Sequence, residues 1–149
     1  VPKRLAPPDA RDILVWPEPV DEQRIAAHFV SHGEPMSKQR ARTFVDDNGT
    51  TKTITPPVTV AAEGRITAAL YEKGNYREPM GNEDTRWGVR INFYRKSKVK
   101  RDIDNMGKLV LDALNTLVWK DDSQIDQLIL WRGRDEANPR TECLAYVLP

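Results

Sequence analysis

Between Thr85 and Gly133 the spacing of apolar residues changes twice, and this restricts the fold more than any other feature of the chain. In "TRWGVRINFYRK", Trp87, Val89, Ile91 and Phe93 recur at every second residue, which is the period of a strand. Past the basic run the period lengthens. Met106, Leu109, Val110, Ala113, Leu114 and Leu117 fall three and four apart, so Asn105 to Val118 predicts an amphipathic helix with those residues toward the core. Asp104, Lys108, Leu111 and Asp112 return to the opposite side. "SQIDQLILWRG" and "TECLAYVL", joined by "RDEANPR", then revert to strands. That helix has to cover a sheet.

The upstream half extends the pattern. "RIAAHFVSHG" alternates Ile25, Ala27 and Phe29 and predicts a strand ending at Gly33. A basic loop, "GEPMSKQRART", carries Lys38, Arg40 and Arg42. Thr43 to Val45 and Thr51 to Ile54 form a hairpin around Asp46, Asp47, Asn48 and Gly49. Pro56 and Pro57 open a helix of about Val58 to Lys73, with Val60, Ala61, Ile66, Ala68, Ala69 and Leu70 as its apolar stripe and Gly74 as its stop. The order β, hairpin, α, β, α, β, β predicts an α+β fold, a mixed β-sheet covered by two main helices. Residues 1–23 hold five of the eleven prolines and read as a mobile or surface-draped tail, with Ile13 to Trp16 able to dock and Trp16 as the anchor. Residues 24–149 then form one domain, a size that supports a single core.

Composition excludes several classes. The 23 basic and 22 acidic residues nearly cancel, so only their distribution points to a partner. No apolar run approaches the ~18 to 20 residues of a membrane span, and the N-terminal region lacks the apolar core of a secretory signal, so the expectation is a cytosolic protein. A lone Cys143 with His28 and His32 cannot build a four-ligand zinc site. The chain has no phosphate-cradling glycine loop, which removes support for a kinase or ATPase.

Charge concentrates around the second helix. Five of the seven residues from Arg95 to Arg101 are basic; Asp102 and Asp104 follow at once, and Asp121 and Asp122 lie beyond the helix. Taken singly, Asp104 is a helix N-cap, Asp121 and Asp122 are a polar turn, and the basic run is a solvated strand end. Taken together they suggest more. If Asp102, Asp104 and either Asp121 or Asp122 converged, each pair would repel by ~4 kcal/mol at about 4 Å in an effective dielectric of about 20, and a divalent cation would remove that cost. Oxygen-only donors favour Mg²⁺ or Mn²⁺. A calcium loop fails, because its fifth position would be Met106 and its twelfth Ala113. Magnesium beside phosphate-binding cations is what phosphodiester hydrolysis requires, so a metal-dependent nuclease is the leading class.

"RDIDNMGKLVLDAL" followed by "VWKDDSQI" resembles the signature of the RusA-like Holliday junction resolvases, crossover junction endodeoxyribonucleases common in bacteria and phages. "FVSHGEPMSKQRARTF" and "TITPPVTVAAEGRI" resemble that family's early strand, basic loop and helix entry, so the resemblance covers about residues 24 to 148. It implies Asp102, Asp104 and Asp122 as catalytic and metal-binding residues, favouring Asp122 over Asp121, and Lys108 as the cation that stabilises the pentavalent phosphate. Arg101 and Asn105 match motif positions held by a basic residue and an amide. With Lys38, Arg40, Arg42, Arg95, Lys96, Lys98 and Lys100 they make up the expected DNA-contacting set. The implied activity is Mg²⁺-dependent resolution of four-way junctions in DNA recombination and repair, with Mn²⁺ substituting. A homodimer would make paired symmetric cuts, and Leu111 is a candidate partner contact. Two other readings stand beside it: a non-catalytic branched-DNA binding protein, and a metal nuclease for flap or duplex DNA.

Overall fold

The computed structural model describes residues 12–77 and 81–149. Along the chain come β1 (Ile25–His32), a hairpin of β2 (Arg42–Val45) and β3 (Thr51–Ile54), α1 (Pro57–Leu70), β4 (Trp87–Arg95), α2 (Ile103–Leu114), β5 (Ile125–Arg134) and β6 (Arg140–Val147). The main sheet runs β1-β6-β4-β5, with β6 antiparallel to both β1 and β4. β4 and β5 are parallel, so α2 is the crossover between them. This is the expected α+β class with a mixed sheet and two helices. No helix among the described residues is long and apolar enough to cross a membrane.

β4 sits at the centre, and all nine of its residues are buried. Trp87, Val89, Ile91 and Phe93 join one core with Met106, Leu109, Val110 and Leu114 of α2 and Ala62, Ile66, Ala69 and Leu70 of α1. The alternate residues Arg90 and Asn92 are buried as well. A buried guanidinium needs partners, and Arg90 finds them in the Ile13 carbonyl at 3.1 Å, the Tyr146 hydroxyl at 3.3 Å and the Tyr146 ring at 5.2 Å.

That demand organises the proline-rich segment. Ile13 is buried against Leu144 and Tyr146, with Leu14 and Val20 packed beside them. The anchor is therefore Ile13, whereas Trp16 stays 39% exposed. The part of the expected tail before residue 12 lies outside the described residues.

Three local expectations need correction. In α1 the buried residues are Thr59, Ala62, Ile66, Ala69 and Leu70, while Val60, Ala61 and Ala68 face outward. Alanine and valine occur all round this helix, so the sheet rather than the pattern selects the inward face. The helix also ends at Leu70, before Lys73. α2 starts at Ile103 and ends at Leu114, because Thr116 takes a left-handed backbone, φ 69°, and turns the chain so that Val118 and Trp119 enter the core. Leu111 packs half-buried against that core.

Gly88 marks a tight approach on the face of the sheet away from the helices. A Cβ there would overlap the Tyr146 ring, whose hydroxyl is hydrogen-bonded to Gln127 and Arg90. Gly88→Ala is expected to lower unfolding free energy by about 1–3 kcal/mol through overpacking, measured by urea denaturation.

Candidate active site

β4 leads straight into the basic run, where the backbone is held by side chains from several directions. Glu34, in the loop after β1, accepts the N–H groups of Lys96 at 2.8 Å and Ser97 at 3.1 Å. Arg134 donates to the carbonyls of Lys96 at 2.8 Å and Ser97 at 3.2 Å, Arg95 donates to that of Val99, and Arg132 to that of Arg101. Lys96, Lys98 and Lys100 are left exposed, with no ion pair among the described residues. The sequence reading missed Glu34, Arg132 and Arg134. The signal for the arginines was their spacing of two on β5, in phase with Leu128 and Leu130.

The residues of the expected DNA-contacting set differ in their partners within the chain. Arg95 is 7% exposed and lies 3.5 Å from Glu34, so it serves the fold. Arg101 is half-buried and donates to the Ser37 hydroxyl at 3.3 Å. Lys38 pairs with Asp112, and its backbone N–H donates to the Asn105 carbonyl at 3.0 Å, which pins the loop before β2 onto α2. Glu63 stands near this pair; burial pushes its carboxyl up, opposed by Lys38. Arg40, Arg42, Lys96, Lys98, Lys100 and Asn105 remain exposed.

Asp102 occupies the N-cap position of α2 in extended backbone, yet its side chain makes no capping hydrogen bond. Asp104, in the first turn, accepts the Asn105 N–H at 2.9 Å. Both carboxylates are exposed. Lys108 stands one turn further on, exposed and without an ion pair among the described residues, because Asp112 is taken by Lys38. Lys108, Asn105, Lys38 and Arg40 line a cleft of about 300 Å³.

At the far end of α2 the adjacent aspartates divide their roles. Asp121 caps the short 3-10 turn Asp122–Gln124, accepting the Ser123 N–H at 2.9 Å, while Gln124 accepts the Asp121 N–H at 3.1 Å. Hydrogen bonds from Ser123 hold the Asp121 carboxyl below its usual range. An acid followed by Gln at the third position is a capping-box spacing, a sequence signal for this role that had gone unread. Asp122 is half-buried and accepts the Trp119 indole N–H at 2.7 Å, and Trp119 packs on Trp87 at 6.3 Å.

The two acidic groups do not meet within one chain. Because β4 and β5 run parallel, α2 returns from the Arg95 end of the sheet to the Trp87 end. Arg101 is tied to Arg132 near the end of β5, whereas Asp122 precedes Ile125 at its start, paired with Trp87. A twelve-residue helix separates them, about 18 Å at 1.5 Å per residue. Accordingly, no group of three or more His, Cys, Asp or Glu among the described residues is placed to hold a metal ion. The convergence suggested by the sequence is absent from the single chain.

Comparison with known families places this scaffold among the DNA-cleaving hydrolases. The family model described as endodeoxyribonuclease RusA matches residues 32–143, a span that takes in the caged loop, Lys108 and both aspartate groups. The chain belongs to the RusA endodeoxyribonuclease family. No curated protein matches it.

The caging makes opposite predictions for neighbouring cations. Arg95→Ala leaves Glu34 half-buried without its guanidinium and is expected to lower unfolding free energy by about 3 kcal/mol. Lys96→Ala combined with Lys98→Ala should leave the urea midpoint where it was. Equal midpoints for the two variants would show that Arg95 is not a structural residue.

Proposed function

We propose that this endodeoxyribonuclease resolves four-way DNA junctions as a homodimer, each site combining Asp102, Asp104 and Lys108 of one chain with Asp122 of the partner subunit. The observation that carries the reading is the separation of the acidic groups along α2, set beside an Asp102 carboxylate that caps nothing. A two-fold axis perpendicular to α2 exchanges its ends and brings opposite ends of two copies together. β5 is an edge strand of the sheet, and Leu128 on it is 43% exposed, which supports an approach from that side.

Three aspartate carboxylates suit a hard divalent cation such as Mg²⁺ or Mn²⁺, which when bound activates water and stabilises the leaving oxygen. The chain's own residues do the rest. Lys108 offers an ammonium group to the phosphate oxygens on which charge develops. Lys96, Lys98, Lys100, Arg40 and Arg42 hold the DNA backbone, Asn105 contacts it from the cleft, and Arg95, Arg101 and Lys38 keep the basic loops in place. The Trp119 indole N–H fixes one oxygen of Asp122, and the other would serve the metal. Residues 24–149 form the catalytic domain, strapped by residues 12–23. Two identical sites at a fixed separation match a substrate that needs two matching cuts.

Shared sites have a testable consequence. Asp102→Asn and Asp122→Asn should each bind a labelled four-way junction and fail to cut it. A mixed dimer of the two, isolated through different tags, contains one intact site and should recover about half of the parent's nicking, on one strand per junction. An inert mixed dimer would mean that each chain completes its own site.

Lys108→Ala separates catalysis from surface charge. Single-turnover cleavage in Mg²⁺ should fall ~10²-fold or more, with urea stability and junction affinity nearly unchanged. Cleavage within about threefold of the parent would remove Lys108 from the transition state.

A further inference from the structure

The hairpin of β2 and β3 buries nothing of its own. All eight of its strand residues are exposed, with Phe44, Val45 and Ile54 at 44%, 66% and 46%. A lone two-stranded ribbon is marginal in water, so one that keeps large apolar groups outside points to a binding partner. Its register defines two different faces. Arg42 lies opposite Ile54 and Phe44 opposite Lys52, so one face alternates cations with large apolar groups. The other carries Thr43, Val45, Thr51 and Thr53, with the Thr43 and Thr53 hydroxyls 3.2 Å apart.

The ribbon has a well-defined turn and a charged root. Asp46 accepts the N–H groups of Asn48 at 3.0 Å and Thr50 at 2.9 Å and pairs with Lys52 at 3.3 Å. These contacts, the Thr50 N–H first, hold its carboxyl below the usual range. Arg42 follows Arg40 and Ala41, which line the same cleft as Asn105 and Lys108. The hairpin therefore rises from the rim of the candidate site.

We propose that the hairpin is a branch-point probe: Phe44 stacks on a base exposed at the centre of the junction, and Arg42 and Lys52 contact the flanking phosphates. The inference rests on the junction-resolvase reading above and adds the element that recognises the branch. Interfaces between protein copies lose charge toward their centre, whereas here Arg42 and Lys52, the latter in an exposed pair with Asp46 that a phosphate can replace, flank the aromatic on one face, which suits a polyanion with accessible bases. Continuous duplex yields a base face only by unstacking, while a branch point already interrupts the stack. The exposed Asp47 at the tip keeps the contact to the strand face and root rather than the turn.

The test uses the full chain in metal-free buffer with junctions carrying 2-aminopurine at the branch point or within an arm. Binding of the parent should raise fluorescence at the branch point only. Phe44→Ala should abolish that rise and weaken junction binding about tenfold, in the range of one lost base–aromatic stack, while duplex affinity and sedimentation mass stay unchanged. Phe44→Trp should preserve both signals, as should Thr43→Ala on the opposite face. A Phe44→Ala protein that retains the rise and the affinity overturns the proposal. So does one that falls from dimer to monomer, since the hairpin then docks a second copy. If the parent cuts junctions while Phe44→Ala matches it throughout, only the hairpin's role is lost; a parent that binds no junction removes the resolvase reading as well.

Discussion

The parallel pairing of β4 with β5 is the constraint on which the rest of this structure depends. Antiparallel neighbours would have needed only a tight turn between them. A parallel pair requires a crossover, which α2 supplies by travelling the length of the sheet in reverse. The same helix closes the core through Met106, Leu109, Val110 and Leu114. Its two ends consequently project from opposite edges of the molecule. Asp102 and Asp104 fall at one end and Asp122 at the other because of how the sheet is connected, whatever local preferences those residues have.

Around the first end the protein uses its two kinds of cation differently. Arg95, Arg132 and Arg134 bond to carbonyls of the loop between β4 and α2, a task that suits a planar, multi-donor guanidinium. Lys96, Lys98 and Lys100 are compact charges on flexible stems and are left in solvent. Glu34 completes the cage by taking two backbone N–H groups that would otherwise need water. A loop dense in positive charge is thereby given one conformation, and the residue that follows it, Asp102, enters α2 from a fixed direction.

What could be read from the sequence follows from which interactions are local. The alternation in β4, the core face of α2 and the hairpin with its Asp-Asp-Asn-Gly turn all rest on short-range periodicity and turn chemistry, and the structure contains them. The inward face of α1 was misread because Val58, Val60, Ala61 and Ala68 look as apolar as the residues that are buried. The end of α2 was placed too late because Thr116 is a non-glycine residue at positive φ and sends no signal. Charge gave the sign of the basic run but not its partners within the chain, where Arg95 pairs with Glu34, Arg101 bonds to Ser37 and Lys38 pairs with Asp112. Strand direction, a long-range property, was not legible, and with it went the separation of the aspartates.

That separation bears on the proposed junction cutting. A carboxylate cluster complete within one chain would let a monomer nick any DNA that reached it. Dividing the cluster between the ends of a rigid helix makes assembly of each proposed site depend on a second copy, and symmetry then supplies the other site at the same moment. The helix cannot bend to close the gap, since its inner face is fixed in the core and Trp119 ties Asp122 to the sheet through Trp87. Under the proposed function, rigidity of α2 is therefore part of the chemistry: it would keep an isolated chain inactive and would set the distance between paired cuts.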